Sequence, residues 1–380
     1  MAAGAGETSR WDSKLGLYGE NKLKLGLFGL NCNNGMTMTK APERWDASWA
    51  NNLSATLAAE AAGLEFVLPI GRWQGYKGET DTEGSTFETL TWAASLLAST
   101  KRISVCGTLH VRFINPLFAA KQIVTADQVG QGRFALNIVS GWNKDEFEMF
   151  GIELLPHEIR YDYTEEWVTI CRRLWTQEEP FDFNGKWFQM KNVQGRPKPW
   201  GGEPPMLISA GNSKEGRDFS TRQVDSMFVT VFDLDKLPAT VAPVREIGRA
   251  RGKPVGIFGS GHVIARPTAR EARDFHHYIV HDMGDWLAAD HAAHIRTRGR
   301  ETPQAELQDL KARLISGLAT YPLVGSYDEV AAMLRRISDA GIDGMALGLV
   351  NYITELPHLT DGVVPRLERM GLRNPAVAQH

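Results

Sequence analysis

The stretch Gly132-Arg133-Phe134-Ala135-Leu136-Asn137-Ile138-Val139-Ser140-Gly141-Trp142-Asn143-Lys144-Asp145-Glu146-Phe147 opens as an apolar run suited to a buried strand and leaves through Ser140-Gly141. Inside the run stands Asn137. Strands disfavour asparagine, and its amide costs free energy to bury without partners. Two readings stay open from these residues alone. Either the amide lines a site near the C-terminal end of the strand, or neighbouring backbone satisfies it.

Outward from this run the chain alternates. Strand-like runs precede it at Leu23 to Leu30, Glu65 to Pro69 and Arg102 to Leu109. Helical segments fall between them at Asp46 to Ala62, Thr86 to Thr100 and Pro116 to Val129. Such alternation argues for parallel strands joined by crossover helices. A long excursion follows, with a helix near Glu158 to Trp175 and a polar, Pro-rich stretch from Phe181 to Pro205. Strands then resume at Pro205 to Ala210, Ser226 to Val231, Val255 to Ala265 and Gly344 to Val350, for a count of eight. Helices are expected from about Ser213, at Leu234 to Arg251, Glu271 to Trp286 and Ser326 to Ala340, with a closing one at Leu356 to Met370. This pattern predicts an α/β fold, a (β/α)8 TIM barrel with insertions at about 143–205 and 288–318. The second insertion reads as a mobile segment or a helical lid. A doubly wound sheet is the competing solution, but Gly26-Leu27-Phe28-Gly29 is not the glycine fingerprint that fold places after its first strand. Residues 1–21 read as a flexible extension and 22–380 as a single domain.

Composition narrows the class. A net charge of −3 and 43% hydrophobic residues are ordinary for a globular chain and give no support for nucleic acid or an anionic membrane as partner. No apolar run reaches the roughly 18 residues of a transmembrane helix, and the N-terminus lacks the apolar core of a secretory signal. Cys32, Cys106 and Cys171 are odd in number and widely spaced, so a disulfide framework is not indicated and a cytoplasmic location is the default. His277 and His281 are four apart, but no third ligand stands beside them, and no metal is expected.

A barrel places function at the C-terminal ends of its strands. The residues there are Asn31 and Asn33 after the first strand, Gly71, Arg72 and Trp73 after the second, Thr108 and His110 on the third, and Asn137 and Trp142 on the fourth. After the fifth comes Ala210-Gly211-Asn212-Ser213. Ser213 can cap the next helix, and such an N-terminus is either a phosphate site or simply a cap. Arg160 and Tyr161 suit phosphate and ring contacts, or a surface ion pair. His110 is an acid–base candidate or a structural histidine.

GRFALNIVSGWNKDEFEMFGI, followed by Arg160-Tyr161-Asp162-Tyr163-Thr164-Glu165-Glu166, resembles the bacterial luciferase-like flavin monooxygenases. The branch is that of the pyrimidine and dimethylsulfone monooxygenases. Asn33-Asn34-Gly35, Arg72-Trp73-Gln74-Gly75-Tyr76, Ala119-Ala120-Lys121-Gln122 with Asp127-Gln128, Ala210 to Ser213 and Leu323 to Tyr327 also match. The resemblance runs from about Leu23 to Glu368 and implies a barrel that takes reduced FMN from an NAD(P)H-dependent flavin reductase, with O2 as co-substrate. It implies FMN contacts from Gly71, Arg72, Asn137 and Glu146, and a phosphate end at Arg160, Tyr161 and Ser213. Thr108 and Asn137 would be the catalytic pair bounding an oxygen pocket, with a flavin N5-oxygen adduct as an alternative to the C4a-hydroperoxide. The substrate would be a small polar, heterocyclic, organosulfur or haloaromatic molecule. Asn31, Asn33, His110, Arg112 and Trp142 would line its pocket, and His110 to Phe113 depart from the pyrimidine branch. Homodimers or homotetramers are usual in the family. An F420-dependent hydride-transfer enzyme on the same barrel and an inert flavin-binding protein are the rival expectations.

Overall fold

The computed structural model describes residues 16–211, 213–297 and 301–375. Its strands are β1 (Lys24–Phe28), β2 (Phe66–Leu68), β3 (Ser104–His110), β4 (Phe134–Val139), β5 (Phe181–Asn184), β6 (Gln189–Val193), β7 (Met206–Ser209), β8 (Ser226–Phe228), β9 (Gly256–Arg266), β10 (Tyr321–Ser326) and β11 (Gly344–Gly348). Eight of them pair in parallel in the order β11-β1-β2-β3-β4-β7-β8-β9, and β9 returns to β11 to close a barrel. These are the eight strands read from the sequence. The reason is local: parallel strands are covered on both faces, so each reads as a continuous apolar run, and every residue of β3 is buried.

The helices are α1 (Trp49–Ala61), α2 (Thr89–Ser99), α3 (Pro116–Val129), α4 (Lys144–Met149), α5 (His157–Thr176), α6 (Lys214–Gln223), α7 (Leu237–Ala250), α8 (Ala269–His277), α9 (Trp286–Thr297), α10 (Gln304–Gly317), α11 (Tyr327–Asp339) and α12 (Val364–Arg369). The largest apolar cluster lies between these helices and the outer faces of the strands. A second fills the barrel interior, where Phe66 and Phe258 meet edge to face at 5.8 Å. Leu17 belongs to that interior cluster, so the expected loose extension is docked from Gly16 onward, and its residues 1–15 lie outside the described ones.

Two features differ from the sequence reading. The stretch after α5 holds an antiparallel hairpin, β5–β6, where only a polar loop was expected. It is mostly exposed and is tied down by the Glu166 carboxylate, which accepts from the backbone N–H groups of Lys186 and Trp187. In addition, β10 pairs with the C-terminal half of β9, outside the closed barrel. The second expected insertion holds α9 and α10: α9 buries the stripe Ala288, Ala289, Ala292 and Ala293 against a cluster containing Met36, Met38, Ile70 and Tyr76. That stripe seats α9 beside the C-terminal ends of the strands. Among the described residues no helix is long and apolar enough to cross a membrane.

Candidate active site

The β3–β4 ladder sets Thr108 directly opposite Asn137. The Asn137 Nδ2 donates to Thr108 Oγ1 at 3.3 Å, and the Thr108 hydroxyl donates to the carbonyl of Pro69 at 2.7 Å. With its only proton committed, Thr108 meets Asn137 as an acceptor, which fixes the orientation of the amide. Asn137 Oδ1 is left buried with no partner.

Arg72 follows β2 and is the electrostatic centre of the site. Its Nε donates to Glu83 Oε2 at 2.5 Å and an Nη to the Tyr76 hydroxyl at 2.9 Å, and Glu146 Oε1 lies 3.6 Å away. The guanidinium also lies 5.2 Å from the Trp142 ring centroid. Burial alone would lower the Arg72 pKa, but Glu83, Tyr76 and Glu146 reverse this and raise it, so Arg72 is a fixed charge. Burial pushes the Glu83 carboxyl up, and Arg72 pulls it partly back. Glu83 has φ +64°, a left-handed conformation that costs of order 1–3 kcal/mol for a residue with a side chain. The ion pair holds that turn in place.

These groups open on a cavity of about 940 Å³ at the C-terminal ends of the strands. Arg72, Asn137, Trp142 and Arg160 line it, and α9 contributes His291, His294 and Arg296. At one end Ala210 and Arg160 approach the N-terminus of α6. Ser213 caps α6, accepting from the Gly216 N–H at 3.0 Å, and its side chain is hydrogen-bonded to the Tyr161 hydroxyl. A Cβ on Gly211 or Gly216 would stand 2.6 Å from that hydroxyl, so both glycines are needed for Tyr161 to reach the helix end. Arg160 is steered by the carbonyls of Leu155 and Gly141, at 2.6 and 3.1 Å.

Comparison with known proteins then places the chain. The model of the luciferase-like monooxygenases matches residues 23–344. This protein belongs to that family. Among curated relatives, an FMNH2-dependent dimethylsulfone monooxygenase of Pseudomonas fluorescens is 28% identical over 90% of this chain and 93% of its own length. The pyrimidine monooxygenase RutA of Methylobacterium radiotolerans is 32% identical over 88% of this chain and 89% of its own. Among solved structures, DmoA from Hyphomicrobium sulfonivorans superposes with a TM-score of 0.81 at 18% identity, covering 92% of this chain and 88% of that one.

Within this luciferase-like barrel the residues singled out from sequence divide. Arg72, Asn137, Trp142 and Arg160 share the large cavity, with Tyr161 and Ser213 joined at its α6 end. Gly71, Thr108 and His110 line a smaller adjoining chamber, to which Arg72 is common. Glu146 spends one oxygen on the backbone N–H groups of Trp73 and Gln74, at 2.8 and 3.4 Å, while Oε2 stays buried and unpartnered. Three expected substrate-lining residues are placed elsewhere. The Asn31 amide is used up on the backbone of Ile70 and Phe87, joining the ends of β1 and β2. Asn33 ties the 80–85 loop, bonding the carbonyls of Thr80 and Asp81 and the N–H of Ser85. Arg112 turns onto the Tyr163 ring of α5, 4.6 Å from its centroid. Short side chains at strand ends and a cationic stem beside an aromatic ring find these partners before any ligand does.

Sequence reasoning missed Glu83, Tyr76 and the α9 residues. Tyr76 stood in a matched turn. Glu83 lies in Thr80-Asp81-Thr82-Glu83-Gly84-Ser85, a composition that reads as a solvated loop, and carries no signal of burial. Cys32, Cys106 and Cys171 are free and buried.

Proposed function

We propose that this chain is the oxygenase of a two-component system. It takes reduced FMN from a separate NAD(P)H-dependent flavin reductase and uses O2 to place one oxygen atom in a small polar, heterocyclic, organosulfur or haloaromatic molecule. The second oxygen atom leaves as water and the FMN leaves oxidised, which balances the reaction. The names and cofactors of the curated relatives support this reading.

The observation that carries it is the orphaned acceptor on Asn137. A buried acceptor without a partner calls for a donor from the ligand. The central ring of a reduced flavin bears an N–H where the oxidised ring bears only a lone pair, so Asn137 Oδ1 fits the reduced form. Arg160 and Ser213, with Tyr161 behind it, would hold the phosphate at the N-terminus of α6. Gly71, Arg72 and Glu146 would flank the ring and ribityl chain. Bound there, reduced FMN supplies the electrons that activate O2. The protein's own part is binding, orientation and exclusion of water. Thr108 holds the Asn137 amide in one orientation, Arg72 supplies fixed positive charge, and α9 lines the cavity with His291, His294 and Arg296. The working unit is proposed to be a homodimer or homotetramer.

The test is oxygen incorporation by purified protein with chemically reduced FMN and labelled O2. The panel is uracil, dimethylsulfone, alkanesulfonates and haloaromatics. One labelled atom in a product is expected. Turnover supported by F420 and not by reduced FMN would overturn the reading.

A further inference from the structure

Beside the large cavity lies a second chamber of about 260 Å³, bounded by the end of β3, the start of α2, α3 and α4. Five aromatic rings line it: Trp73, Phe87, Phe113, Phe118 and Phe150. Phe113 stacks on Phe150 with centroids 4.0 Å apart and planes 8° from parallel, and Trp73 meets Phe150 edge to face at 4.9 Å. The His110 ring stacks on the other side of the group, 5.1 Å from Phe113. The chamber adjoins the proposed flavin site through Gly71 and Thr108: a Cβ on Gly71 would lie 3.1 Å from Thr108 Cγ2 and 3.3 Å from His110 Cε1. A side chain at position 71 would crowd both residues.

Two polar groups in these walls have nothing to bond. Gln122 Oε1 is buried and unpartnered. His110 is 5% exposed, and its ring nitrogens have no hydrogen-bond partner among the described residues. Burial, with Arg72 nearby, lowers its pKa to about 3, so the ring is neutral and offers one donor and one acceptor. The chamber is open to solvent on one side, where Trp73 and Phe118 are 46% and 61% exposed, so a ring can enter it directly. Buried polar groups such as the Gln122 oxygen are seldom left unpaired. A hole of about 150 Å³ already holds benzene, so this one has room for one ring and a substituent.

We propose that this side chamber binds a flat aromatic ring carrying a hydroxyl group. The ring lies among Phe113, Phe150 and Trp73, and the hydroxyl bonds Gln122 or His110. A hydroxyl both gives and accepts a hydrogen bond, so it meets either partner. Calling this ligand the substrate rests on the reading that reduced FMN occupies the neighbouring cavity; the site itself does not.

Phenol is the probe and toluene, the same shape without the hydroxyl, the control. Crystals of the whole protein soaked in phenol should show it in the chamber, with its oxygen at Gln122 Oε1 or His110. In calorimetry phenol should bind at least fivefold more tightly than toluene, and removing the partner the crystals show, by Gln122→Met or by His110→Phe, should weaken phenol at least fivefold. Phenol absent from the chamber, confined to the large cavity, or bound no better than toluene overturns the proposal. Reduced FMN affinity is measured on the same samples. Phenol bound with no reduced-FMN binding would sink the cofactor reading alone, and the reverse result would sink this one alone.

Discussion

The amide of Asn137 and the hydroxyl of Thr108 meet at 3.3 Å across adjacent parallel strands, and the Thr108 proton is already given to Pro69. That chain of two hydrogen bonds decides which atom of Asn137 faces the ligand. Asn137→Ala removes the facing acceptor and leaves Thr108 bonded to Pro69. Product formation should fall roughly a hundredfold, the scale seen when one fixed polar contact to a reacting centre is lost, with the folded state retained by circular dichroism. Unchanged turnover in that variant would take Asn137 out of the mechanism.

Ser213 does two jobs at the start of α6. Its hydroxyl caps the helix through the Gly216 N–H and belongs to the proposed phosphate end. Ser213→Ala should cost about 1 kcal/mol of stability for the lost cap. FMN binding should weaken about tenfold, the size of one charge-assisted hydrogen bond, while riboflavin, which has no phosphate, should be little affected. Equal losses for both flavins would contradict the phosphate assignment.

Glu83 and Arg72 form a pair whose side chains are 1% and 7% exposed. Removing one partner of a buried pair strands the other charge and typically costs about 3–5 kcal/mol. Glu83→Ala should therefore lower the urea midpoint strongly. Glu83→Gln, which keeps an oxygen for Arg72, should lower it less. Identical midpoints for both variants and the parent would mean the pair does not hold the 76–85 loop.

Burial lowers the pKa values of His110 and His262 to about 3. Both are therefore neutral in the folded protein and gain a proton on unfolding below about pH 6.5. Their contribution is complete above the unfolded pKa and is lost as the pH falls from 6.5 towards 3. Stability should drop by up to about 2.7 kcal/mol per pH unit for the two together. Urea unfolding between pH 6.5 and 5 measures this slope. Asp127, raised to about 6 by burial, partly offsets them, so the variant and not the absolute slope is read: His110→Phe should reduce the slope by up to about 1.4 kcal/mol per pH unit, and an unchanged slope would show that His110 does not contribute.

The barrel was legible because buried parallel strands leave unbroken apolar runs, and Asn137 stood out within one of them. The family resemblance put Thr108 and Asn137 in one pocket, but their hydrogen bond was not legible in the residues, since the register between β3 and β4 is set by how whole strands pack. Asn31 and Asn33 sit at the expected strand end, but loop closure claims their amides. Glu83 was hidden for the opposite reason. Its neighbours are polar, and it is buried against Arg72, which comes from a separate turn. The hairpin β5–β6 was missed because its exposed residues show little of the alternation that marks a half-buried strand.

The most direct test of the account is an anaerobic titration of the protein with reduced and with oxidised FMN. The unpartnered Asn137 Oδ1 predicts that the reduced form binds at least tenfold more tightly, equivalent to about 1.4 kcal/mol or a 30 mV rise in the bound two-electron potential. Asn137→Ala should erase most of that preference. Equal affinity for the two forms, or tighter binding of the oxidised one, would contradict the claim that this cavity is built for reduced flavin.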